Sequence, residues 1–394
     1  MKILLANFSK MVGDTGGAAK VQCAFANEMV RRGYEVAMVF CDDRQGQTFY
    51  PLSEKVEVFN LQHLFGQHIK YPRIMKIKRE ITRAVSVCRA RAVNDQFISR
   101  YLMENAQKIL EQFQPNIIIT WQPAATKLYC CDLQTNIPVI SMSHGDPEDY
   151  FHTYPKVEIE ALDKSCICQV LLPSFAQSIE RRYPYLRVEV IGNVVPQYKD
   201  VADLAREKKT YKIIFIGRLV KNHKRPHLLL QAFARIAKDF PEWEVELWGA
   251  VDSKTYMKEM KSYISRHELT NQVKFCGTTN NVANVLKSGD VFAFPSAYEG
   301  FGLSLGEAMS MGVPAVGYRN CAAVNELIKD GETGFLSEDG VSAFAEALKQ
   351  LMIDKSLRIK MGTAARLSMR QYSPEKIWGK WEKIIKETAL EEKI

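Results

Sequence analysis

Short runs of apolar, often β-branched residues alternate along the chain with segments in which apolar residues recur every three or four positions. The runs predict buried strands and the periodic segments predict helices, and their alternation is typical of parallel sheets built from strand–helix–strand units. In the first half, the pattern predicts a helix at 18–32, ended by Gly33, and strands at 2–8, 35–41, 117–120, 139–142, 170–173 and 188–191.

The pattern is interrupted at 195–210, a polar stretch that contains Pro196 and no clear strand. Beyond it we predict a helix after Pro226, a helix ending near His267, a last helix from Pro374 to Leu390, and strands at 212–216, 244–248, 273–276, 291–294 and 314–317. The expected fold is therefore α/β, with two Rossmann-like doubly wound domains facing a cleft. Since open parallel sheets bind ligands at the carboxyl ends of their strands, the site is expected at that cleft.

The densest candidate site is the segment 295–309, Pro-Ser-Ala-Tyr-Glu-Gly-Phe-Gly-Leu-Ser-Leu-Gly-Glu-Ala-Met, which follows a buried strand. A helix is predicted to begin near Leu303, and free N–H groups at a helix N-terminus favour a phosphate. Glu299 and Glu307 lie on either side of this glycine-rich loop, where their carboxylates could accept hydrogen bonds from vicinal hydroxyl groups. A simpler interpretation is an ordinary strand–loop–helix turn with two surface acids.

A second candidate site is Gly217-Arg218-Leu219, which follows the predicted strand 212–216. A glycine at the end of a strand lets a ligand approach the backbone, and Lys224 and Arg225 follow closely along the chain. Arg218 and Lys224 supply positive charge suited to a diphosphate. The alternative is a solvated basic loop.

These two segments resemble retaining family 4 glycosyltransferases of the GT-B fold. Glu299 and Glu307 match the family's E-x7-E motif, and Gly217-Arg218-Leu219 with Lys224 is similar to its diphosphate-binding segment. Further similar stretches are Phe275-Cys276-Gly277, Asn281-Val282, Asn325-Glu326-Leu327-Ile328, Gly331, Gly334-Phe335-Leu336 and Gly16-Gly17-Ala18. The resemblance covers nearly the whole chain, strongly at 211–340 and loosely before 140.

The resemblance implies a donor site for a nucleotide sugar. Arg218 and Lys224 would bind its diphosphate, and Glu299 would orient the donor sugar. The other implied donor-binding positions are Gly16, Gly17, Gly217, Thr278, Val282, Phe301, Gly302, Leu303 and Glu307.

Individual roles are also implied by the resemblance. Backbone N–H groups of Gly302 and Leu303 would assist at the diphosphate, and Glu307 would hold the ribose hydroxyls. The base would rest between Thr278 and Val282, and Gly16 and Gly17 would leave room for diphosphate and sugar. His144, in Ser-His-Gly-Asp, would face the donor sugar; without the family, a lone histidine after a strand is interpreted as structural.

The implied domains are an acceptor-binding half at 1–196, to which a helix at 374–394 crosses back, and a donor-binding half at 209–373. The leaving group is a nucleoside diphosphate, so the cations and the helix dipole would stabilise the charge that grows in the transition state. The resemblance also implies retention by a front-face reaction, in which the leaving phosphate accepts the proton of the acceptor, so no side-chain base is expected. No D-x-D occurs in the sequence, and we expect neither a metal ion nor another cofactor.

The net charge of +8 is concentrated in one segment, where eight basic residues and one acid lie between Lys70 and Arg91. A single helix is predicted from Arg73 to Ala92, with an apolar stripe of Ile74, Ile77, Ile81, Val85, Cys88 and Ala92. Its cations include Lys76, Arg79 and Arg83, which suit an anionic membrane or acceptor. Alternatively the stripe faces the domain core and the cations are only solvated; nucleic acid is disfavoured because no binding motif accompanies the charge.

Compartment and activity follow from the remaining features. No stretch approaches about 18 uninterrupted apolar residues, no signal segment is recognised, and the nine cysteines form no C-x-x-C pair. We therefore expect a cytoplasmic, peripheral protein at the inner face of the cell membrane. Its expected activity is retaining, metal-independent transfer from a UDP-hexose or UDP-N-acetylhexosamine to a lipid-linked or surface-polysaccharide acceptor. The alternatives are a transferase without membrane contact, acting on a small or polymeric carbohydrate, and a catalytically dead nucleotide-sugar-binding protein.

Overall fold

The predicted strands form two β-sheets, each flanked by helices; the second is wholly parallel, and the first is parallel except for two short strands at one edge. The computed structural model describes residues 1–391, and the chain divides into two units: Met1–Gly192 together with the chain from Trp378, and Asn193–Ile377. The predicted α/β class with two Rossmann-like domains is confirmed.

In the first unit, strands within Met1–Gly192 form one sheet in the order β5-β4-β3-β2-β1-β6-β7-β8-β9. The strands are β1 Lys2–Asn7, β2 Glu35–Phe40, β3 Val56–Asn60, β4 His63–Leu64, β5 Gln67–His68, β6 Ile117–Thr120, β7 Val139–Ser143, β8 Ile167–Val170 and β9 Val188–Val190. The two short strands β4 and β5 pair antiparallel at one edge, and the others run parallel. Buried aliphatic side chains of the central strands form the core, as expected for a sheet covered on both faces.

Helices cover both faces of this sheet. They are α1 Gly17–Arg31, α2 Arg73–Val85, α3 Val87–Phe97, α4 Met103–Phe113, α5 Pro123–Lys127, α6 Pro147–Thr153, α7 Lys156–Glu160 and α8 Pro173–Arg182. Helix α1 ends at Arg31, one residue before the predicted end, and Gly33, the second residue after it, adopts a φ of 88° as predicted for a glycine that ends a helix.

The predicted strand at 170–173 is wrong. The strand is β8, and Pro173 instead occupies the first turn of α8, where its missing N–H costs nothing. Polar Gln169 concealed the true strand, although this side chain is fully buried and donates to the Ile191 carbonyl at 2.6 Å.

The predicted single helix at 73–92 is also wrong. Ser86 is extended, with φ −159° and ψ 128°, and its hydroxyl accepts a hydrogen bond from the N–H of Arg89 to begin α3. The two helices form an antiparallel hairpin in which Tyr71 bonds Asn94 at 3.0 Å. We call α2 and α3 the basic hairpin.

The apolar stripe of α2 points away from the core. Ile74, Ile77, Ile81 and Val85 are 81%, 61%, 64% and 71% exposed, so the alternative that this stripe faces the domain core is wrong. The helix packs inward through Met75 on its other side, which contacts the hydrophobic core of the first unit.

In the second unit, strands within Asn193–Ile377 form one parallel sheet in the order β12-β11-β10-β13-β14-β15. The strands are β10 Tyr211–Ile216, β11 Trp243–Trp248, β12 Val273–Gly277, β13 Val291–Phe294, β14 Ala315–Tyr318 and β15 Gly334–Ser337. The helices are α9 Pro226–Ala234, α10 Lys254–Arg266, α11 Val282–Ser288, α12 Leu303–Ser310, α13 Val324–Leu327, α14 Val341–Ile353 and α15 Lys355–Ser368.

The last helix, α16, spans Pro374–Glu391, and residues 392–394 of the predicted helix 374–394 lie outside the described residues. From Trp378 onward it belongs to the first unit, where the rings of Trp378 and Trp381 meet Phe25 edge-on at 5.5 and 4.9 Å. Among residues 1–391, no helix has the length and apolar character needed to cross a membrane.

Candidate functional site

The order of strands in the second sheet reverses between β10 and β13, and the two candidate segments follow these two strands. Ligands of open α/β sheets bind at the carboxyl ends of the strands at such a switch point. The hydroxyl group of Ser304, in the first turn of α12, donates to the Ile216 carbonyl at the end of β10 at 3.0 Å. This bond holds the start of α12 against the end of β10.

The glycine-rich loop after β13 ends in a helix start suited to a phosphate. Gly302 adopts φ 79° and ψ 54°, a left-handed conformation that favours glycine, and α12 begins at Leu303. Because Gly302 has no side chain, it does not cap the N–H groups of the first turn of α12. Glu307 lies one turn further along α12 and is only 4% exposed.

Lys224 and Glu299, which are 75 residues apart in sequence, form an ion pair at this edge. Lys224 Nζ lies 2.5 Å from Glu299 Oε1 and 4.8 Å from the centre of the Phe294 ring. Both side chains are largely buried, so water screens their attraction only weakly. His223 Nε2 lies 3.8 Å from the same carboxylate oxygen.

Arg218 lies on the same edge but outside this ion pair. Its side chain is exposed and forms no ion pair with any of the described residues. Gly217 before it packs against the side chain of Lys224, and a Cβ there would lie 3.4 Å from Lys224 Cδ. A guanidinium with this exposure is accessible to an anionic ligand.

Gly249, which was not among the predicted site residues, allows β10 and β11 to end close together. A Cβ on Gly249 would lie 1.9 Å from the Gly217 carbonyl oxygen, so only glycine fits. The signal was a glycine directly after the apolar strand β11, the same position that Gly217 occupies after β10.

Three other predicted donor residues have different surroundings. Thr278 is exposed in the loop after β12, and Val282 is partly buried at the start of α11. Phe301 is buried inside the second unit, where its ring meets Tyr372 edge-on at 5.0 Å. Its side chain therefore packs within the protein.

Arg225, grouped with the cations from the sequence, uses its guanidinium on the protein itself. Nε donates to the Pro295 carbonyl at 2.8 Å and Nη2 donates to the Ser296 carbonyl at 3.0 Å. The partners lie 70 residues away in sequence, so no local pattern indicates them.

In the first unit, the strand order reverses between β1 and β6, and Gly16 and Gly17 follow β1 at the start of α1. The N–H of Gly16 donates to Asp14 Oδ1 at 2.9 Å, and a Cβ on Gly16 would lie 3.1 Å from the same oxygen. The loop before α1 therefore passes close to this glycine.

His144 follows β7 and stacks on Trp121, which follows β6, with ring centres 5.5 Å apart. Burial lowers the pKa of His144 to about 4, so its imidazole is neutral at pH 7. His144 Nε2 and Trp121 Nε1 are both buried and have no hydrogen-bond partner among residues 1–391. Trp121 was not among the predicted site residues; its signal in the sequence was an aromatic residue directly after the apolar run Ile117–Thr120.

No group of three or more His, Cys, Asp or Glu side chains within residues 1–391 is placed to hold a metal ion. The groups that the second unit places around its switch point are an ion pair, an exposed arginine and a helix start.

Two doubly wound domains of this kind are the architecture of the GT-B fold. Residues 197–368 match the family model of glycosyl transferases group 1. The predicted glycosyltransferase class is thereby confirmed.

Similar proteins extend the likeness to both units. An uncharacterized glycosyltransferase of Haemophilus influenzae is 22% identical over 380 residues, covering 96% of this chain and 98% of its own length. The amylovoran biosynthesis glycosyltransferase of Erwinia amylovora is 22% identical over 381 residues, covering 95% and 97%. The structure of Anabaena HepE in complex with UDP-glucose superposes with a TM-score of 0.73 at 19% identity, covering 98% of this chain and 100% of HepE.

Proposed function

We propose that this glycosyltransferase moves a hexose or N-acetylhexosamine from a UDP-sugar to a lipid-linked or surface-polysaccharide acceptor, with retention of configuration and without a metal ion. The observation that carries the proposal is the Lys224–Glu299 ion pair at the switch point of the second sheet. The similarity to HepE, a structure of which contains UDP-glucose, supports the donor class. The similarity to an amylovoran biosynthesis enzyme supports the acceptor class.

The donor is proposed to exchange partners with this ion pair. Its diphosphate takes the ammonium group of Lys224 and the guanidinium of Arg218, and its sugar hydroxyls take the carboxylate of Glu299. The first turn of α12 binds the same diphosphate through N–H groups, and Glu307 holds the ribose hydroxyls. The base rests between Thr278 and Val282.

The proposed mechanism rests on stabilising the leaving group. Negative charge grows on the diphosphate as the glycosidic bond breaks, and two fixed cations and a helix start stabilise that charge in the transition state. The leaving phosphate accepts the proton of the acceptor hydroxyl on the same face of the sugar, so the product keeps the anomeric configuration. Neutral His144 then offers a hydrogen bond to the donor sugar without adding charge.

The two halves are proposed to divide the substrates. The first half, 1–196 with the helix 374–394, binds the acceptor, and Gly16 and Gly17 leave space for the donor's diphosphate and sugar. The second half, 209–373, binds the nucleotide. This division follows from the donor residues, since Arg218, Lys224, Glu299 and Glu307 all belong to the second unit.

Release of UDP from a panel of UDP-sugars, with and without candidate acceptors, tests this function. We expect Lys224→Ala and Glu299→Ala each to lower kcat/KM by at least about 100-fold. The matched control is Lys221→Ala, since exposed Lys221 pairs with Glu259 at 2.8 Å. Full activity in both site variants would overturn the assignment.

Two further measurements test stereochemistry and metal use. The anomeric configuration of the product, read by proton NMR, should equal that of the donor. Activity should persist in excess EDTA. An inverted product or loss of activity on chelation, restored by a divalent ion, would each contradict the proposal.

We further propose that the basic hairpin places the enzyme on an anionic lipid surface. Its exposed isoleucines lie beside exposed Lys76 and Arg83, and each cation near such a surface contributes about 1 kcal/mol. Arg79 and Arg83 both pair with Glu80 at 2.9 Å, and Arg79 also lies 5.0 Å over the Tyr71 ring. Lys76 forms no ion pair with any residue of the described range 1–391, so it carries more of the contact than either arginine.

Sedimentation with vesicles of phosphatidylglycerol or of phosphatidylcholine tests the lipid contact. We expect binding to the anionic vesicles only, reduced by salt and by the double variant Ile77→Ser/Ile81→Ser. The control is Val157→Ser, which changes a half-exposed apolar residue of α7. Equal sedimentation of wild type and the double variant would contradict this contact, and transfer activity without any vesicle binding would favour a transferase that works without membrane contact.

A further inference from the structure

Two loops of the second unit are joined by hydrogen bonds and an ion pair. One loop, 223–225, precedes α9, and the other, 295–299, follows β13; we call the contacts between them the loop clamp. The N–H of Ala297 donates to the His223 carbonyl at 2.7 Å, and the Lys224–Glu299 ion pair lies at the end of this contact.

Arg225 fastens the far side of the clamp. Its two bonds to the Pro295 and Ser296 carbonyls join the two loops, and its guanidinium lies 4.8 Å over the Tyr318 ring. The backbone of Arg225 is left-handed, with φ 49° and ψ 44°. A non-glycine residue adopts this conformation at a cost and keeps it where the surroundings fix it.

His223 fastens the near side. Its Nε2 bonds the Tyr298 carbonyl at 2.9 Å, and its ring stacks on the Tyr298 ring with centres 4.2 Å apart and planes 4° from parallel. Glu299 is the next residue after Tyr298, so His223 holds the peptide unit from which that carboxylate extends. Lys224 lies between His223 and Arg225 on the opposite loop. The contacts of these two neighbours therefore also fix the backbone from which the Lys224 side chain extends.

We propose that His223 and Arg225 are positioning residues for sugar transfer, which hold Lys224 and Glu299 in the one arrangement that the donor needs. This inference rests on the proposed function. Neither residue is assigned a contact with the donor. The guanidinium of Arg225 is hydrogen-bonded to two backbone carbonyls, and the ring of His223 stacks on Tyr298. Their effect on transfer therefore passes through the loop 295–299.

Substitution at Arg225 separates the side chain from the backbone conformation. Arg225→Gly removes both carbonyl bonds while allowing the left-handed backbone without strain, so the fold is retained. We expect kcat/KM to fall by about 10- to 100-fold, the loss typical of a reacting group displaced by about 1 Å. Arg225→Lys keeps the charge and can keep one bond, and it should recover part of the loss.

The distribution of the loss identifies its cause. Displacement of Lys224 and Glu299 raises KM for the UDP-sugar and lowers kcat, and it leaves KM for the acceptor unchanged. A variant that is merely less folded would lower kcat alone. His223→Phe, which keeps the stacked ring and loses the carbonyl bond, should reproduce the rise in KM for the donor, and Arg235→Ala on the exposed end of α9 should not.

Hydrogen exchange tests the clamp independently of the reaction. In Arg225→Gly, the amides of 296–299 should exchange at least about 10-fold faster, while those of β14 stay protected. Unchanged exchange at 296–299, or faster exchange with unchanged kinetic constants, would overturn the inference. Faster exchange in a protein whose wild type transfers no sugar from any UDP-sugar would refute the proposed function and retain the clamp as a structural device.

Discussion

Lys224 Nζ and Glu299 Oε1 are 2.5 Å apart, in surroundings where neither side chain is more than 15% exposed. Each charged group is therefore stabilised mainly by its electrostatic attraction to the other. Removing one partner leaves the other as a buried charge that is neither hydrated nor paired. The ion pair therefore stabilises the folded protein and is also part of the candidate binding site.

A double-mutant cycle measures this dependence. Lys224→Met and Glu299→Gln should each lower the free energy of unfolding by about 3 kcal/mol, because each leaves an uncompensated buried group. The double variant should lose less than the sum, with an interaction energy of about 1–3 kcal/mol. Urea unfolding of the four proteins provides the values, and strictly additive losses would show that the two groups do not stabilise each other.

The stability of the first unit should depend on pH through His144. Burial lowers the pKa of this imidazole to about 4, so the unfolded chain binds a proton more readily than the folded chain does. Stability is then complete above the ordinary histidine value of about 6.5 and is lost as the pH falls from there towards 4. At pH 5 the loss should be about 2 kcal/mol relative to pH 7.

His144→Phe tests the origin of that loss, since it keeps a ring against Trp121 and removes the titrating nitrogen. Urea midpoints between pH 5 and pH 7 should change less in this variant than in the wild type. An identical pH dependence in both proteins would assign the effect to other groups.

The elements that the sequence predicts correctly are those with local signals. Apolar runs gave β6 and β13 at their observed bounds, and glycines marked the end of α1 and the start of α12. The basic hairpin was not predicted, because the apolar spacing of Val85, Cys88 and Ala92 continues through Ser86. One extended residue is enough to reverse the direction of the chain. Spacing reports a helix face; it carries no information on a single residue that leaves the helix.

The environment of a side chain is harder to predict than its position. The sequence places Arg218 and Arg225 in the same basic loop, but their guanidinium groups have different surroundings. That of Arg218 is exposed, and that of Arg225 is hydrogen-bonded to carbonyls of a loop distant in sequence. Trp121 and His144 likewise meet only because β6 and β7 are neighbours in the sheet. Such pairings depend on strand order, which the sequence alone left open.

The aromatic contact between α1 and α16 should contribute strongly to the stability of the first unit. Trp381 is 3% exposed and meets Phe25 edge-on at 4.9 Å, so Trp381→Ala removes a large buried ring. The free energy of unfolding should fall by about 3–5 kcal/mol. Lys380→Ala, on the exposed face of the same helix, serves as the control and should change it by less than about 0.5 kcal/mol; comparable losses in the two variants would contradict a specific role for this contact.

Glu158 should make the first unit less stable in alkaline solution. It is 2% exposed on α7, and burial, with a contribution from Asp95, raises its pKa to about 8. Arg91 and Lys127 act in the opposite direction, and Lys127 is already paired with Asp95 at 3.1 Å and Asp132 at 2.9 Å. The folded state therefore favours the neutral carboxyl group, and stability present below the ordinary value of about 4.3 is lost as the pH rises through 8.

Glu158→Gln keeps the shape of the neutral carboxyl group and cannot ionise. Between pH 5 and pH 9 the wild type should lose about 4 kcal/mol of stability through this group, and the variant should not. The Tm of Glu158→Gln should therefore lie near that of the wild type at pH 5 and several degrees above it at pH 9. If the two proteins instead lose stability in parallel over this range, the carboxyl group of Glu158 is already ionised in the folded protein and Arg91 or Lys127 compensates it.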